Sequence, residues 1–244
     1  MSTLVSFSGI DGSGKSTQIE ALCSRLREAG LSVRVLTFWD DIALLRNLRE
    51  FSSHAVFKGE KGVGSPGNPV DRRDKNIQSW YMTVFRCFLY FLDALRLGIS
   101  ARRARASQTD VVIFDRYLYD ELANLPLKHS LVRTYVRQLL KLVPSPDVAC
   151  LLDAEPEQAR IRKPEYPLEF VRRNRLSYLV LSELVGGMTV IDPLPAPQVA
   201  QRVLGEVLKR VACRQGQLIS NLREPVAGLT APVNQPSVSG IARR

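Results

Sequence analysis

The chain has 244 residues, of which 45% are hydrophobic, and it carries a formal net charge of +10. This size and hydrophobic content suffice for one α/β domain with a substantial core. The 4 cysteines are widely spaced and form no C-x-x-C pair, which argues against a zinc site or a disulfide framework. Because no secretory leader precedes the first predicted strand, we expect a reducing, cytoplasmic setting.

The most specific motif follows that first strand. It is a complete G-x-x-x-x-G-K-S sequence between a predicted strand and a predicted helix, and its residues are Gly9, Ile10, Asp11, Gly12, Ser13, Gly14, Lys15, Ser16 and Thr17. In such a loop the backbone N–H groups surround phosphate oxygens, the lysine reaches the β- and γ-phosphates, and the serine hydroxyl ligates Mg²⁺. The N-terminus of the helix adds partial positive charge. The motif predicts a nucleoside triphosphate site.

The first part of the chain is predicted to form a βαβ unit. A helix follows the loop up to residue 29, and residues 31–38 alternate as a second strand. Residues 52–71 mix Gly, Ser, Pro and Lys without apolar periodicity, which predicts an insertion or a loop beside the site.

Residues 79–99 form the most apolar stretch. Arg86, Asp93 and Arg96 interrupt it, and charges at this density argue against a membrane span. We therefore predict a long helix that is buried on most of its surface. Its apolar residues at helical spacing are Trp80, Val84, Phe88, Phe91 and Leu95. Another side, with Arg86, Tyr90, Asp93 and Leu97, is predicted to face a cleft.

Three further strands are predicted in the second half. Residues 111–114 form a continuous apolar run that ends in Asp115 and Arg116, residues 147–152 end at Asp153, and residues 189–191 complete the set. Functional residues belong at the carboxyl ends of such strands. Helices are predicted over 131–142, from residue 156 and over 199–211. We expect one nucleotide-binding domain over 1–212 and a disordered tail over 213–244.

Two arginine-rich runs follow the fourth strand. The first holds Arg160, Arg162 and Lys163, and the second runs from Arg172 to Arg175. Transfer of a phosphoryl group depends on charge stabilisation, so arginines on a lid that closes over phosphates fit such an enzyme. A solvated basic helix face is the alternative that the composition leaves open.

Together these segments resemble, from about residue 4 to residue 209, the thymidylate kinase family of nucleoside monophosphate kinases. The motifs that carry the resemblance are the loop at 7–18, Val112 to Tyr117, Pro146 to Val148, Leu151 to Pro156 and Val190 to Asp192. The resemblance implies a five-stranded parallel sheet flanked by helices, with a short arginine-bearing lid. It further implies MgATP as phosphate donor, a nucleoside monophosphate as acceptor with dTMP the default, and a homodimer.

On the donor side, the resemblance makes Lys15 the phosphate-loop lysine and Ser16 a Mg²⁺ ligand. Asp115 and Arg116 match an Asp-Arg pair near Mg²⁺ and the phosphates, with Asp115 as a second metal ligand. Gly12 stands where some members have a loop arginine. The lid residues Arg160 and Arg162 would then supply the cation, and the turn over residues 192–197 would hold adenine.

On the acceptor side, Asp11 takes the position of a carboxylate near the acceptor, and Tyr90 that of an aromatic ring stacked on its base. Tyr178 matches a tyrosine on the helix after the lid. Arg86, on the same helix side as Tyr90, is predicted to bind an acceptor phosphate. We therefore count Lys15, Asp11 and Arg116, with the two lid arginines, as candidate catalytic residues, and Asp115 also as substrate-binding.

The acceptor side also departs from the family pattern. Ala94 stands where the family has an arginine that reads the pyrimidine edge, Phe38-Trp39-Asp40 replaces Arg-Glu-Pro, and Asp120-Glu121 replaces a serine pair. A kinase of another small metabolite is therefore one alternative. A second alternative is an ATP-binding regulator, or a nucleic-acid-associated protein, without kinase turnover. We expect a nucleoside monophosphate or another small acceptor as partner, rather than nucleic acid or a membrane. Steep salt dependence would identify nucleic-acid binding.

Overall fold

The computed structural model describes residues 1–42 and 80–215. Within them the strands are β1 (Thr3–Ser8), β2 (Val33–Thr37), β3 (Val111–Asp115), β4 (Val148–Leu152) and β5 (Thr189–Ile191). The helices are α1 (Lys15–Glu28), α2 (Trp80–Ala106), α3 (Leu118–Leu122), α4 (Ser130–Leu140), α5 (Pro156–Arg162), α6 (Leu168–Val185) and α7 (Ala196–Gln215). A π-helical turn, Phe38–Ile42, directly follows β2.

The strands form one parallel sheet in the order β2-β3-β1-β4-β5. This confirms the predicted five-stranded α/β fold with flanking helices. The central strand β1 pairs with β3 on one side and with β4 on the other, so that Phe7 lies beside both Asp115 and Cys150. Ligands of such sheets bind beyond the carboxyl ends of the strands. The ends of β1, β3 and β4 are therefore brought together at one edge.

Both faces of the sheet are covered, as the continuous apolar runs of its strands require. Successive residues of a strand point to opposite faces. Val112 and Phe114 of β3 belong to the cluster shared with α2, α3, α4 and α6, whereas Val111 and Ile113 belong to the cluster under α1 and α7. The two layers of helices therefore pack on either face of the sheet whose carboxyl edge carries the site.

The predicted burial of α2 is wrong in its orientation. Among the residues predicted to recur on its buried side, Val84 and Phe88 are more than half exposed, and Phe91 and Leu95 are about 40% exposed. The helix packs instead through Tyr90, Asp93, Leu97 and a row of small residues, Ala94, Ala101 and Ala104. Small side chains let the helix approach the sheet closely. The side with Tyr90 and Asp93, predicted to face a cleft, is therefore buried.

Other differences concern the bounds of elements. The fifth strand has the predicted bounds, but the last helix begins at Ala196 and ends at Gln215, three residues beyond the predicted domain boundary at 212. The rest of the predicted tail and the segment 52–71 lie outside the described residues. Within 1–42 and 80–215, no helix has the length and apolar character needed to cross a membrane.

Candidate active site

The phosphate loop joins β1 to α1 at the carboxyl edge of the sheet. Its glycines take left-handed backbone angles, with φ of 142° at Gly9, 82° at Gly12 and 92° at Gly14, the N-cap of α1. A side chain on Gly9 would place its Cβ 2.5 Å from the carbonyl oxygen of Leu152. Glycine is therefore required there both by the backbone angle and by the close approach of β4.

Lys15 is buried within this loop. Its Nζ donates hydrogen bonds to the carbonyl oxygens of Gly9 at 2.8 Å and Ile10 at 2.9 Å. Burial, followed by the charge of Arg116, lowers the pKa of Lys15 to about 8, although nearby carboxylates oppose the shift. A bound phosphate would, like these carboxylates, favour the charged form of Lys15 and raise its pKa. The side chain is therefore positioned to interact with a phosphate.

A cavity of about 170 Å³ opens beside the loop. Its walls come from the loop, from the segment after β4 with Asp153, and from the turn after β5 with Asp192 and Leu194. Ser13 also lines it, and the buried Oγ of Ser13 has no hydrogen-bond partner among the described residues. Buried hydroxyls normally have a partner. An orphaned oxygen at the mouth of a phosphate loop fits a bound nucleotide.

The Asp-Arg pair stands at the end of β3, next to the loop. Arg116 has a φ of 71°, rare for a residue with a side chain, and its backbone N–H donates to the carbonyl oxygen of Phe7 at 3.1 Å. Its Nη2 donates to Oδ1 of Asp11 at 2.6 Å. Burial raises the pKa of Asp115, against the opposing charges of Arg116 and Lys15. Arg116 thus connects the carboxyl ends of β1 and β3 to the phosphate loop.

A buried carboxylate, Asp120, connects this pair to two other elements. It accepts hydrogen bonds from Ser8 Oγ at 2.7 Å and from the Tyr178 hydroxyl at 2.8 Å. The backbone N–H of Tyr117 donates to it at 3.0 Å, and Nη1 of Arg116 lies 3.6 Å from it. Burial lowers the pKa of Arg116, but Asp120 and then the loop carboxylate outweigh burial and raise it above its ordinary value.

The predicted lid corresponds to α5 and the start of α6. Arg162 lines the cavity and donates from Nη1 to the carbonyl oxygen of Gly12 at 3.0 Å. A Cβ on Gly12 would lie 2.2 Å from the carbonyl oxygen of Ala159, so α5 rests directly on that glycine. Arg160 is half-buried and forms no hydrogen bond or ion pair within residues 1–42 and 80–215.

The second arginine run is engaged by carboxylates. Arg175 donates from Nε and Nη2 to the two oxygens of Asp153, each at 2.7 Å, and also pairs with Glu155. Arg172 pairs at the surface with Glu157 at 2.6 Å. These contacts attach α6 to the end of β4 and to α5. Through these contacts the run joins the lid to the sheet, whereas Arg172 and Arg173 are also exposed, as expected for the solvated face that the composition left open.

The predicted acceptor residues are less open than expected. Tyr90 is 6% exposed and belongs to the buried cluster, and Arg86 is half-buried one turn before it on α2. Tyr178 is 5% exposed, with its hydroxyl on Asp120. Ala94 is fully buried, so this position cannot present a cation to an acceptor. The roles of these residues toward a substrate stay predictions.

The structure brings Lys15, Asp11, Asp115 and Arg116 together at the loop, and Arg162 reaches the same loop from the lid. Ser16 and Thr17 are exposed on the first turn of α1. The network around Asp120 was missed by the sequence reasoning, which noted that residue only as a departure. The available signal was a carboxylate within the first turn after the Asp-Arg pair.

Comparison with protein-family models finds no match for this chain. Individual relatives do match over most of their length. A probable thymidylate kinase of Methanosphaera stadtmanae is 25% identical over 206 residues, which is 82% of this chain and 95% of that protein. A thymidylate kinase of Solidesulfovibrio magneticus is 28% identical over 226 residues, 84% of this chain and 98% of that protein. A probable thymidylate kinase of Pyrococcus abyssi is 29% identical over 197 residues, covering 76% and 85%.

The parallel sheet, the glycine loop at its central strand and the lid helix resting on that loop define a P-loop protein of the kinase type. With consistent similarity along most of its length, the chain is thymidylate kinase-like, which confirms the predicted resemblance.

Proposed function

We propose that this chain transfers the γ-phosphoryl group of ATP to dTMP. The observation that supports this most is the convergence of three cations from three elements. Lys15 from α1, Arg116 from the end of β3 and Arg162 from α5 each contact the loop or its Asp11. Relatives that match this chain along most of its length carry the name thymidylate kinase. The assignment of dTMP rests on those names.

In this proposal ATP lies along the loop. The triphosphate would occupy the positive N-terminal end of α1, with Ser13 Oγ as a partner, because that oxygen is buried and has no hydrogen-bond partner in the part of the chain that the structure describes. The base would enter the cavity between the segment after β4 and the turn after β5. This is the turn over residues 192–197 that the sequence predicts to hold adenine.

Mg²⁺ would be held by the hydroxyl of Ser16 and by Asp115. No group of three or more metal-ligating side chains occurs among the described residues. This fits Mg²⁺ in a nucleotide site, where one or two protein ligands suffice because phosphate oxygens and water supply the rest. Bound there, Mg²⁺ would neutralise charge on the transferring phosphate.

The chain's own residues would perform the transfer mainly by placing charge. Phosphoryl transfer spreads negative charge over the oxygens of the moving group, and fixed cations that meet this charge lower the barrier. Lys15 contacts the carbonyl oxygen of Ile10 and Arg162 that of Gly12 in the same loop, and Arg116 is held there by Asp11. Asp11 would orient the acceptor once Arg116 turns toward phosphate.

The homodimer and the cytoplasmic location stay predictions. One described surface supports a second copy as partner, an apolar row on α2 formed by Val84, Phe88, Phe91, Leu95 and Ile99, all at least 40% exposed. Contiguous apolar rows of this kind are typical of interfaces. Phe88→Glu is expected to disrupt such a dimer and so to halve the molecular mass measured by analytical ultracentrifugation. A wild-type chain that sediments as a monomer would refute the dimer.

The proposal is tested by ATP consumption across a set of acceptors: dTMP, dUMP, other nucleoside monophosphates, nucleosides and small sugars. We expect turnover with dTMP and loss of at least about 100-fold in kcat in Lys15→Ala. Lys209→Ala is the matched control, because Lys209 is an exposed lysine of α7 whose one ion pair among the described residues is with Glu206. If a non-nucleotide acceptor is preferred, that compound replaces dTMP as the proposed substrate. ATP binding without turnover of any acceptor would refute the kinase activity.

A further inference from the structure

We infer that Asp120 is a positioning residue that holds the guanidinium of Arg116 and the hydroxyl of Tyr178 in the geometry required for phosphoryl transfer. The inference rests on the proposed function, in which Arg116 meets the phosphates. Asp120 itself touches no substrate in this account. It acts through the residues that surround it.

The first support is the number of donors around this one carboxylate. Ser8, the Tyr117 backbone and Tyr178 donate to it within 3.0 Å, and Arg116 approaches to 3.6 Å. Two carboxylate oxygens offer about four lone-pair sites, whereas a hydroxyl accepts at most two hydrogen bonds. A serine, the residue that the family resemblance leads one to expect here, would leave donors unsatisfied. Asp120 therefore fits its surroundings in this chain specifically.

The second support is that these donors come from separate elements. Ser8 ends β1, Tyr117 precedes α3, and Tyr178 lies on α6, the helix that follows the lid. The side chain of Asp120 is only 1% exposed, so it meets them in the interior. A single buried carboxylate thus joins the strand that leads into the phosphate loop, the Asp-Arg turn and the helix after the lid.

The third support concerns the unusual backbone of Arg116. A left-handed residue with a side chain persists only where its surroundings hold it, and here φ is 71°. The guanidinium has one carboxylate on each side, Asp11 in the loop and Asp120 in the interior. In the proposed function Asp11 also orients the acceptor, so it is shared with a ligand when the site is occupied. Asp120 is then the partner that keeps Arg116 aimed at the loop.

A test must separate positioning from mere stabilisation. Asp120→Asn keeps the shape but replaces one accepting oxygen by a donor. Asp147→Asn is the matched control, because Asp147 also accepts a backbone N–H, from Leu4 at 2.8 Å, and also pairs with an arginine, Arg105 at 3.2 Å. It lies at the opposite edge of the sheet, before β4. Both variants should lower the unfolding midpoint.

Two readouts then decide, and the first needs no turnover. The Nε–Hε NMR signal of Arg116, assigned with Arg116→Lys, should be sharp and protected from exchange in the wild type and in Asp147→Asn. It should broaden or disappear in Asp120→Asn. Turnover with ATP and dTMP is the second readout: kcat should fall by about 10- to 100-fold in Asp120→Asn with little change in the KM for ATP. Asp147→Asn should retain wild-type kcat.

An unchanged Arg116 signal, or a kcat that falls equally in both Asn variants, would overturn the inference. A wild type without turnover would refute the proposed function, and the NMR signal would still decide whether Asp120 holds Arg116. If Asp120→Asn does not fold, Tyr178→Phe withdraws a single donor without changing charge. It is expected to shift the Arg116 signal and to lower kcat several-fold. No change in either would overturn the inference.

Discussion

Arg162 donates a hydrogen bond to the carbonyl oxygen of Gly12 at 3.0 Å, which connects the lid helix α5 to the phosphate loop. α5 also lies close to Gly12, because a Cβ there would be 2.2 Å from the Ala159 carbonyl oxygen. Gly12, which has no side chain, is therefore the loop residue that the lid arginine Arg162 contacts. The absence of a side chain at this position lets the lid pack directly against the loop.

Replacing Gly12 should separate the lid from the loop. In Gly12→Ala we expect the free energy of unfolding to fall by about 3 kcal/mol, from the left-handed backbone and the clash together, and kcat to fall with it. Gly30→Ala is the matched control, since Gly30 has φ of +78° and no atom of the described residues lies within 4 Å of its Cβ position. It should lose only about 1 kcal/mol. Equal losses in urea titrations would contradict the lid contact.

The lid arginines should matter for the transition state. We expect Arg162→Gln to lower kcat by about 100-fold with a smaller effect on the KM for ATP, because the contact strengthens as charge moves onto the transferring group. Arg160→Gln should have the smaller effect of the two, since Arg160 makes no hydrogen bond or ion pair with the described residues. A change in Arg162→Gln confined to KM would remove that residue from catalysis.

The pH dependence should report Lys15. In the free protein burial lowers its pKa to about 8, so kcat/KM for ATP should decline above that pH as the lysine loses its proton. The bound phosphates raise the pKa again, so kcat should stay constant further into the alkaline range. Initial-rate profiles measure both. A parallel decline of kcat and kcat/KM would contradict a phosphate-contacting lysine.

The ionisation of Lys15 should also change the free energy of unfolding with pH, in a direction that its pKa shift fixes. The ordinary pKa of 10.5 applies to the unfolded chain and about 8 to the folded one, so between these values the unfolded chain binds more protons. The contribution of Lys15 to the free energy of unfolding therefore rises from pH 8 toward 10.5. Urea titrations of the wild type should show this rise relative to Lys15→Ala. An identical pH slope in both proteins would contradict it.

Arg175 of α6 and Asp153 at the end of β4 form a clamp between these two elements. Its strength should depend on both of the hydrogen bonds that Arg175 donates. Arg175→Lys cannot donate to both oxygens of Asp153, so we expect a loss of about 2 kcal/mol in unfolding free energy and a higher KM for ATP, because Asp153 lines the cavity. Arg172→Lys disturbs only the surface pairs with Glu157 and Glu169 and should stay within about 0.5 kcal/mol. Equal effects would show that the clamp adds nothing.

Much of the fold could be predicted because its signals are local. The glycine loop, the apolar runs of β3 and β4 and the bounds of β5 follow from residue order and burial. The orientation of α2 could not be predicted in the same way. Its large apolar residues suggested the packing face, but Phe88 is 58% exposed whereas Ala94 is fully buried. Which side of such a helix packs depends on how closely the sheet approaches.

The site, too, has features that follow from local sequence and features that depend on tertiary packing. Lys15 and Arg116 stand in motifs, so their presence was predictable from sequence. Their partners were not, because Asp120 bonds to Ser8, 112 residues away, and to Tyr178, 58 residues away. Such contacts exist only once β1, α3 and α6 have packed together. The change from a serine pair to Asp120-Glu121 signalled a difference without indicating what it would bind.

Transfer of the γ-phosphate to dTMP tests the proposed kinase activity most directly. Purified chain is incubated with Mg²⁺, dTMP and ATP labelled on its γ-phosphate, and the products are separated. We expect labelled dTDP formed in equal amounts with ADP, and at least about 100-fold slower formation with Lys15→Ala in place of the wild type. Label found only in inorganic phosphate, or in ATP that remains unconsumed whatever the acceptor, would contradict it.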